Sequence, residues 1–164
     1  MDVRLARIDD RLIHGQVATA WSKATNVDRI IVVSDSVAKD TLRKFLLKQA
    51  APPGIKSSIV TVKKIIEVFH SEMLADTKVM LLFTNPQDVE RLVRQGISID
   101  SVNIGGMSFS EGKTMITKFI SVNQADFASF RYLDQQGVEL EIRKVPADRK
   151  INLMSILEKA QSFH

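Results

Sequence analysis

One complete strand–helix unit lies at residues 77–96, with the sequence TKVMLLFTNPQDVERLVRQG. Its first part, Thr77–Thr84, is largely apolar and predicts a strand. Asn85 is placed to cap a helix, and Pro86 follows at the first helical position, where no backbone donor is needed. The helix is predicted to close at Gly96, because glycine takes the left-handed conformation that ends a helix at low cost.

The same alternation of strand and helix extends from this unit in both directions. Arg29–Ser34 is a near-continuous run of Ile and Val, which is typical of a parallel strand buried on both faces. The remaining strands are predicted at Val3–Ile8, Lys56–Thr61, Ser101–Ile104, Lys118–Val122 and Val138–Val145, the last of them as an edge strand. The remaining helices are predicted at Gly15–Thr25, Ala38–Ala50, Val62–Met73, after the strand Lys118–Val122 through about Gln136, and at Ile151–Ser162.

Strands and helices in alternation require crossover connections between parallel strands. The sequence therefore predicts an α/β fold: a single doubly wound, mostly parallel sheet with helices on both faces and an edge strand near the C-terminus. No composition break, internal repeat or linker divides the chain, so residues 1–164 are predicted to form one domain.

Composition excludes several classes of function. The chain has 164 residues and no cysteine, which excludes a disulfide scaffold, a Cys-ligated metal site and thiol catalysis. The formal net charge is only +4, and the basic residues are dispersed rather than gathered with aromatic residues into a stripe. We therefore expect no binding to nucleic acid.

The ends and the apolar runs indicate where the chain works. The start carries Asp2 and two arginines instead of an apolar signal core. The longest apolar runs, Ile30–Val33 and Val79–Phe83, fall far below the ~20 residues that a membrane helix needs. A soluble intracellular protein is expected.

The loop after the first strand concentrates chemically active side chains. Residues 7–16, RIDDRLIHGQ, hold two arginines, two aspartates and a histidine where a strand turns into a helix. Ligands of open α/β sheets bind beyond the carboxyl ends of the strands, and a helix N-terminus favours an anion. Arg7 and Arg11 can add forked donors to a phosphate, and His14 can act as a base, a ligand or a nucleophile.

The residues of this loop also allow a metal site, a receiver-like site or a purely structural role for His14. Asp9, Asp10 and His14 could bind a divalent cation, but the neighbouring arginines oppose it, and no metal is expected. A receiver-like site would need an acceptor aspartate at the end of the third strand, where Thr61 stands. The non-functional alternative is that His14 caps a helix and satisfies loop backbone. Two further histidines lack such neighbours: we expect a surface or boundary position for His70 and a frayed end for His164.

The segment Ala6–Val17, ARIDDRLIHGQV, resembles the phosphorylation-site loop of IIB components of the mannose/fructose/sorbose class of the sugar phosphotransferase system. The resemblance extends over essentially the whole chain. Further matching segments are Ile30–Asp35, Ala51–Gly54, Leu82–Pro86, Val102–Met107, Thr117-Lys118 and Gly137–Arg143.

This resemblance implies a protein-phosphohistidine–sugar phosphotransferase. His14 corresponds to the family's phosphorylated histidine, which accepts a phosphoryl group from a phosphohistidine of the IIA component through its Nδ1. The group then passes to a sugar bound by the membrane components IIC and IID. Arg11 corresponds to the arginine near the phosphoryl group, and Asp9 to the carboxylate that supports the loop. The family acts in the cytoplasm, at the inner face of the membrane through IIC and IID, without a metal or nucleotide cofactor.

Physical reasoning assigns further supporting residues. Phosphoryl transfer between two imidazoles needs in-line positioning and donors for three equatorial oxygens, which the amides from about Leu12 through Gly15 to Gln16 and the Arg11 guanidinium could supply. Asp9 and Asp10 would repel a phosphate, so we expect them to point away and to fix Arg7, Arg11 or a loop amide.

The sequence leaves open the class of function, the sugar and the oligomeric state. The alternative function is a non-catalytic, receiver-like or anion-binding α/β module that holds a phosphate with the same loop. The sequence does not fix the sugar, although Pro52–Gly54 and Phe83–Val93 favour the mannose type. The small positive charge suits an acidic IIA partner if the arginines gather around His14. A homo-oligomer is compatible with the sequence.

Overall fold

The structure is a computed structural model that describes residues 1–161. It contains a seven-stranded sheet with the order β3-β2-β4-β1-β5-β8-β9, and a separate two-stranded hairpin, β6–β7. The predicted end of the last helix at Ser162 and the prediction for His164 lie outside the described residues.

The main sheet is mostly parallel, which confirms the predicted fold class. Six strands run in parallel register, and only β9 pairs in the antiparallel sense. The strands are β1 (Asp2–Asp9), β2 (Arg29–Val33), β3 (Lys56–Val60), β4 (Lys78–Phe83), β5 (Ser101–Gly106), β6 (Thr114–Thr117), β7 (Ile120–Val122), β8 (Glu139–Ile142) and β9 (Ile151–Asn152).

Helices cover both faces of the sheet. They are α1 (Gly15–Thr25), α2 (Asp35–Ala38), α3 (Thr41–Ala50), α4 (Val62–Phe69), α5 (Pro86–Arg94), α6 (Gln124–Gln135) and α7 (Leu153–Gln161). One apolar core joins the sheet to α4, α5, α6 and α7, and a second joins its other face to α1, α2 and α3. Asn85 caps α5 as predicted, with its side chain accepting from the Asp88 amide at 2.9 Å.

The predicted helix Ala38–Ala50 is instead two helices. A short α2 ends at Ala38, and α3 begins at Thr41. Asp40 separates them because its carboxylate accepts from the Arg43 amide at 3.0 Å, which makes it the N-cap of α3 rather than a residue of its first turn.

The C-terminal elements also differ from the prediction. The strand predicted as an edge is β8, which lies between β5 and a two-residue edge strand, β9. The predicted last helix begins two residues later than expected, because Ile151–Asn152 pairs with β8. The predicted strand Lys118–Val122 is the second half of a hairpin, whose first half, β6, was not predicted.

The strand order decides where a site can form. β1 lies at the centre of the sheet with β4 on one side and β5 on the other. The chain leaves β1 toward β2 on one side, whereas the crossover after β4 leads to β5 on the other. The carboxyl ends of β1 and β5 therefore meet beside a reversal of strand order, where open α/β sheets bind ligands.

Candidate active site

A tight loop connects β1 to α1 and presents His14. The Leu12 amide donates to the Asp9 carbonyl at 2.9 Å, and Leu12 adopts a left-handed conformation with φ of 61°. This conformation is costly for leucine, and the buried side chains of Leu12 and Ile13 hold it in place. His14 is the N-cap of α1 but makes no side-chain capping bond, so the helix-capping alternative does not describe its ring.

Asp9 is the centre of the site. Its side chain is fully buried and accepts bonds from three different residues. Oδ2 accepts from Arg7 Nη2 at 3.0 Å and from Arg11 Nη2 at 3.1 Å, and it lies 3.1 Å from His14 Nε2. Oδ1 accepts from both the amide and the Nε of Arg11 at 3.1 Å. Asp9 thus fixes Arg7, Arg11 and a loop amide, and it lies on the Nε2 side of the His14 imidazole.

The charge of Asp9 determines which ring nitrogen of His14 carries the proton and which one keeps an available lone pair. Burial raises the pKa of the Asp9 carboxyl, but hydrogen bonds from Arg11 and His14 and the charge of Arg7 outweigh it, so the pKa lies below its usual value. An ionised carboxylate only accepts, so His14 Nε2 must carry the proton that it donates. In the neutral ring the lone pair is then on Nδ1, and the His14 side chain is 24% exposed.

Arg7 lies beneath the site rather than in it. Its side chain is 2% exposed and donates to the Arg143 and Lys144 carbonyls at 3.0 and 3.2 Å, as well as to Asp9. The guanidinium packs directly on the backbone of Gly105. The burial of its guanidinium therefore favours a supporting role for Arg7 over a direct contact with a bound phosphate.

A buried polar network continues from Arg7 into β5 and β8. Arg7 Nη1 donates to Asn103 Oδ1, and Asn103 Nδ2 donates to Glu141 Oε1 at 3.1 Å. Glu141 in turn accepts two bonds from Arg143, at 2.9 and 3.0 Å. Sequence reasoning missed these residues. Glu141 is buried together with these partners.

Asp10 ties the β1 loop to the loop after β5. Its carboxylate accepts from the amide and the hydroxyl of Ser108 at 2.6 and 3.0 Å. Its backbone carbonyl accepts from Arg43 Nη2 at 3.0 Å, which brings the start of α3 against the loop. The Asp10 carboxylate therefore holds a loop amide, and no ion pair joins it to Arg7 or Arg11 among residues 1–161. Neither Ser108 nor Arg43 was predicted to take part.

Arg11 and the start of α1 form the exposed part of the site. The Arg11 side chain is 46% exposed although it is bonded to Asp9. The first helical bond of α1 runs from the Ala18 amide to the His14 carbonyl at 3.3 Å. The preceding amides, including those of the exposed Gly15 and Gln16, come before the hydrogen-bond ladder begins. Next to His14 in the chain, these groups can bind an anion.

The other polar residues that follow strands serve the fold. The Asp35 carboxylate accepts from the Val62 amide at 2.9 Å and from Arg91 Nη1 at 3.1 Å. Thr61 accepts from the Lys64 amide at 3.0 Å and so caps α4. Across residues 1–161, no group of three or more His, Asp or Glu residues is arranged to hold a metal ion. No helix in that range is long and apolar enough to cross a membrane.

Comparison with known proteins matches this chain to a family. The family described as "PTS system sorbose subfamily IIB component" matches residues 3–164. The chain belongs to this IIB family. Among curated IIB relatives, the mannose-specific EIIAB component of Escherichia coli K12 is 56% identical over 97% of this chain. The chain spans about half, 49%, of the length of that relative.

Other members of the IIB family match over their full length. The sorbose-specific EIIB component of Lacticaseibacillus casei is 51% identical over 97% of both chains. The crystal structure of the IIBSor domain of the sorbose permease from Klebsiella pneumoniae superposes with a TM-score of 0.95 at 47% identity. That comparison covers 97% of this chain and 98% of the other.

Proposed function

We propose that this IIB chain is a phospho-carrier enzyme that accepts a phosphoryl group on Nδ1 of His14 and transfers it to a sugar. The bond between His14 Nε2 and Asp9 Oδ2 carries the proposal. It leaves the nucleophilic lone pair on the opposite nitrogen of a partly exposed ring. Membership of the IIB family supports the same conclusion.

The site has what an in-line transfer needs. Nδ1 attacks the phosphorus of a donor phosphohistidine, the new N–P bond forms as the donor's N–P bond breaks, and the electron pair returns to the donor imidazole. In the second step a sugar hydroxyl oxygen attacks the phosphorus, and the O–P bond forms as the N–P bond breaks. The electron pair of the breaking bond returns to Nδ1, and the hydroxyl proton passes to solvent. Arg11 and the amides of Gly15 and Gln16 stabilise the equatorial oxygens in both steps, so no cofactor is required.

The partners follow from the proposed reaction. The donor is the phosphohistidine of a IIA component, and the acceptor is a sugar held by membrane components IIC and IID. The protein would then work in the cytoplasm, associated with the membrane through these partners. Relatives carry mannose, sorbose and fructose in their names. The mannose type remains a prediction to be tested by transfer to a panel of sugars.

Labelled phosphate tests this function against the alternative. Incubation with phosphorylated IIA should place one phosphate on the chain, stable in alkali and labile in acid, as a phosphohistidine is. Phosphate released by hydroxylamine would indicate an acyl phosphate on Asp9 or Asp10 instead. That result would favour the receiver-like module, and no incorporation at all would favour an anion-binding module.

Replacing Arg11 by alanine is expected to slow transfer while leaving the fold intact. The guanidinium is half exposed, and its loss removes one donor to the transferring group, which costs about 2.7–4 kcal/mol of barrier, or roughly 10²–10³ in rate. Single-turnover phosphorylation measures the effect. Arg4→Ala, an exposed arginine at the other end of β1, is the matched control, and an unchanged rate in Arg11→Ala would remove Arg11 from the site.

Replacing Asp9 by asparagine is expected to mix the two tautomers of His14. An amide can donate to Nε2 as well as accept from it, so the lone pair no longer resides only on Nδ1. The ¹⁵N shifts of the neutral His14 ring should move from the Nε2–H pattern toward an average of both forms. Phosphorylation should slow, since the wrong tautomer at a catalytic histidine costs up to about 10⁴ in rate. An unchanged ¹⁵N spectrum would show that Asp9 does not set the tautomer.

A further inference from the structure

Exposed apolar side chains gather beside the active site. Eight large hydrophobic residues are exposed among those described, and Phe109, Met115 and Phe119 stand together at 63%, 61% and 51% exposure. These three line one open cavity whose other wall includes Asp10 and Arg11. The cavity therefore borders the loop that carries His14, and its rim is apolar.

The hairpin β6–β7 carries the exposed Met115 and Phe119, and hydrogen bonds hold it in place. The Met107 amide donates to the Phe119 carbonyl, and the Ser121 amide donates to the Met107 carbonyl, both at 2.9 Å. The next residue, Ser108, is bonded to the Asp10 carboxylate. The hairpin is thus tied to the active-site loop through two short links, so its apolar side chains keep a set position relative to His14. We call the surface formed by Phe109, Met115, Lys118 and Phe119 the hairpin face.

The hairpin face is also cationic. Lys118 is exposed and lines the same cavity as Arg11. The ammonium of Lys144 lies 3.9 Å from the centre of the Phe119 ring, in a cation–π contact. The acidic member of the cavity wall, Asp10, has its carboxylate engaged by Ser108. An apolar surface that carries Lys118 and has Lys144 over its Phe119 ring is complementary to an acidic protein surface.

We propose that the hairpin face is the docking surface for the phosphoryl donor, an acidic protein surface that surrounds a phosphohistidine. The inference rests on the proposed function, because it assigns a partner to the same site. In-line transfer brings two imidazoles together on one phosphorus, so the donor must cover the surroundings of His14. The hairpin face is the apolar part of those surroundings that shares a cavity with Arg11. A concave apolar site favours a protruding protein surface over a flat lipid bilayer.

Phe119→Ser tests the proposal in the full chain. With phosphorylated IIA as donor, we expect KM to rise at least about tenfold with little change in the maximal rate, as for loss of a central aromatic contact in an interface. Met73→Ser is the matched control. Met73 is 66% exposed but lies between α4 and β4, at the amino ends of the strands and away from His14.

Phosphoramidate, a small N–P donor, separates docking from chemistry. Phe119→Ser and wild type should react with it at the same rate, because it needs no docking surface. Lys118→Glu should slow phosphorylation by IIA more than it slows the reaction with phosphoramidate, which is also an anion, and should weaken the salt dependence of the reaction with IIA.

Several outcomes would overturn the inference. Equal KM values for Phe119→Ser and wild type with phosphorylated IIA would do so. So would a change in self-association of Phe119→Ser by sedimentation, which would assign the face to a second copy of the chain. Loss of binding to anionic phosphatidylglycerol vesicles with unchanged KM would assign it to a membrane. Failure of wild type to react with either donor would instead contradict the proposed function.

Discussion

His14→Ala is expected to abolish phosphorylation by IIA and by phosphoramidate. The imidazole supplies the nucleophile of the first step of the proposed reaction, so the loss of phosphorylation should be complete within detection rather than a graded slowing. The fold should persist, because Asp9 keeps its bonds to Arg7 and Arg11 when the partly exposed ring is removed. Intact-mass measurement of the phosphorylated chain, with circular dichroism as the check on folding, gives the answer.

His70→Ala is the control for this experiment. His70 is exposed at the end of α4, far from the active-site loop, so its removal should leave the incorporation of one phosphate unchanged. If His14→Ala still takes up a full phosphate in an acid-labile, alkali-stable form, the phosphorylated residue is another histidine. The proposed role of His14 would then be wrong.

Much of the fold was predictable because burial on both faces of a parallel sheet leaves a clear mark on the sequence. Arg29–Val33 reads as a strand from its Ile/Val run, and Asn85-Pro86 fixes the start of α5. The errors fall where local and tertiary effects compete. Asp40 caps a helix inside an apparently continuous helical pattern, and the short β6 gains its partner only from β7.

The exposed part of the site was predictable, whereas its buried support was not. His14, Arg11 and Asp9 share one short loop, so their proximity follows from the sequence. Asn103 and Glu141 lie in other strands, and their approach to Arg7 depends on β5 and β8 being neighbours. Strand order is a tertiary property, and no local pattern reveals it. The contact of Trp21 with Arg7, whose guanidinium carbon lies 5.3 Å from the centre of the Trp21 ring, could not be predicted for the same reason.

Gly105 leaves room for the buried Arg7 guanidinium, although its own backbone conformation does not require glycine. A Cβ on Gly105 would lie 2.0 Å from Arg7 Nη2 and 2.2 Å from its Cζ, with no room for the guanidinium. Arg7 would have to leave its place, and Asp9 would lose a partner in a fully buried position. Breaking a buried ion pair in this way costs about 3–5 kcal/mol. Gly105→Ala should therefore lower the free energy of unfolding in urea by about that amount, with loss of phosphorylation.

Two further variants test whether the clash with Arg7 causes the loss of stability expected for Gly105→Ala. A Cβ on Gly106 would lie 3.3 Å from Asp9 Oδ1, a contact that small shifts relieve, so Gly106→Ala should cost much less. In an Arg7→Met background the guanidinium is absent, and adding Gly105→Ala should then cost almost nothing. Because the three atoms nearest to the added Cβ all belong to the guanidinium, we expect the two substitutions to be strongly non-additive. Additive costs would mean that Gly105 is required by the backbone itself, and that Arg7 does not depend on the missing side chain.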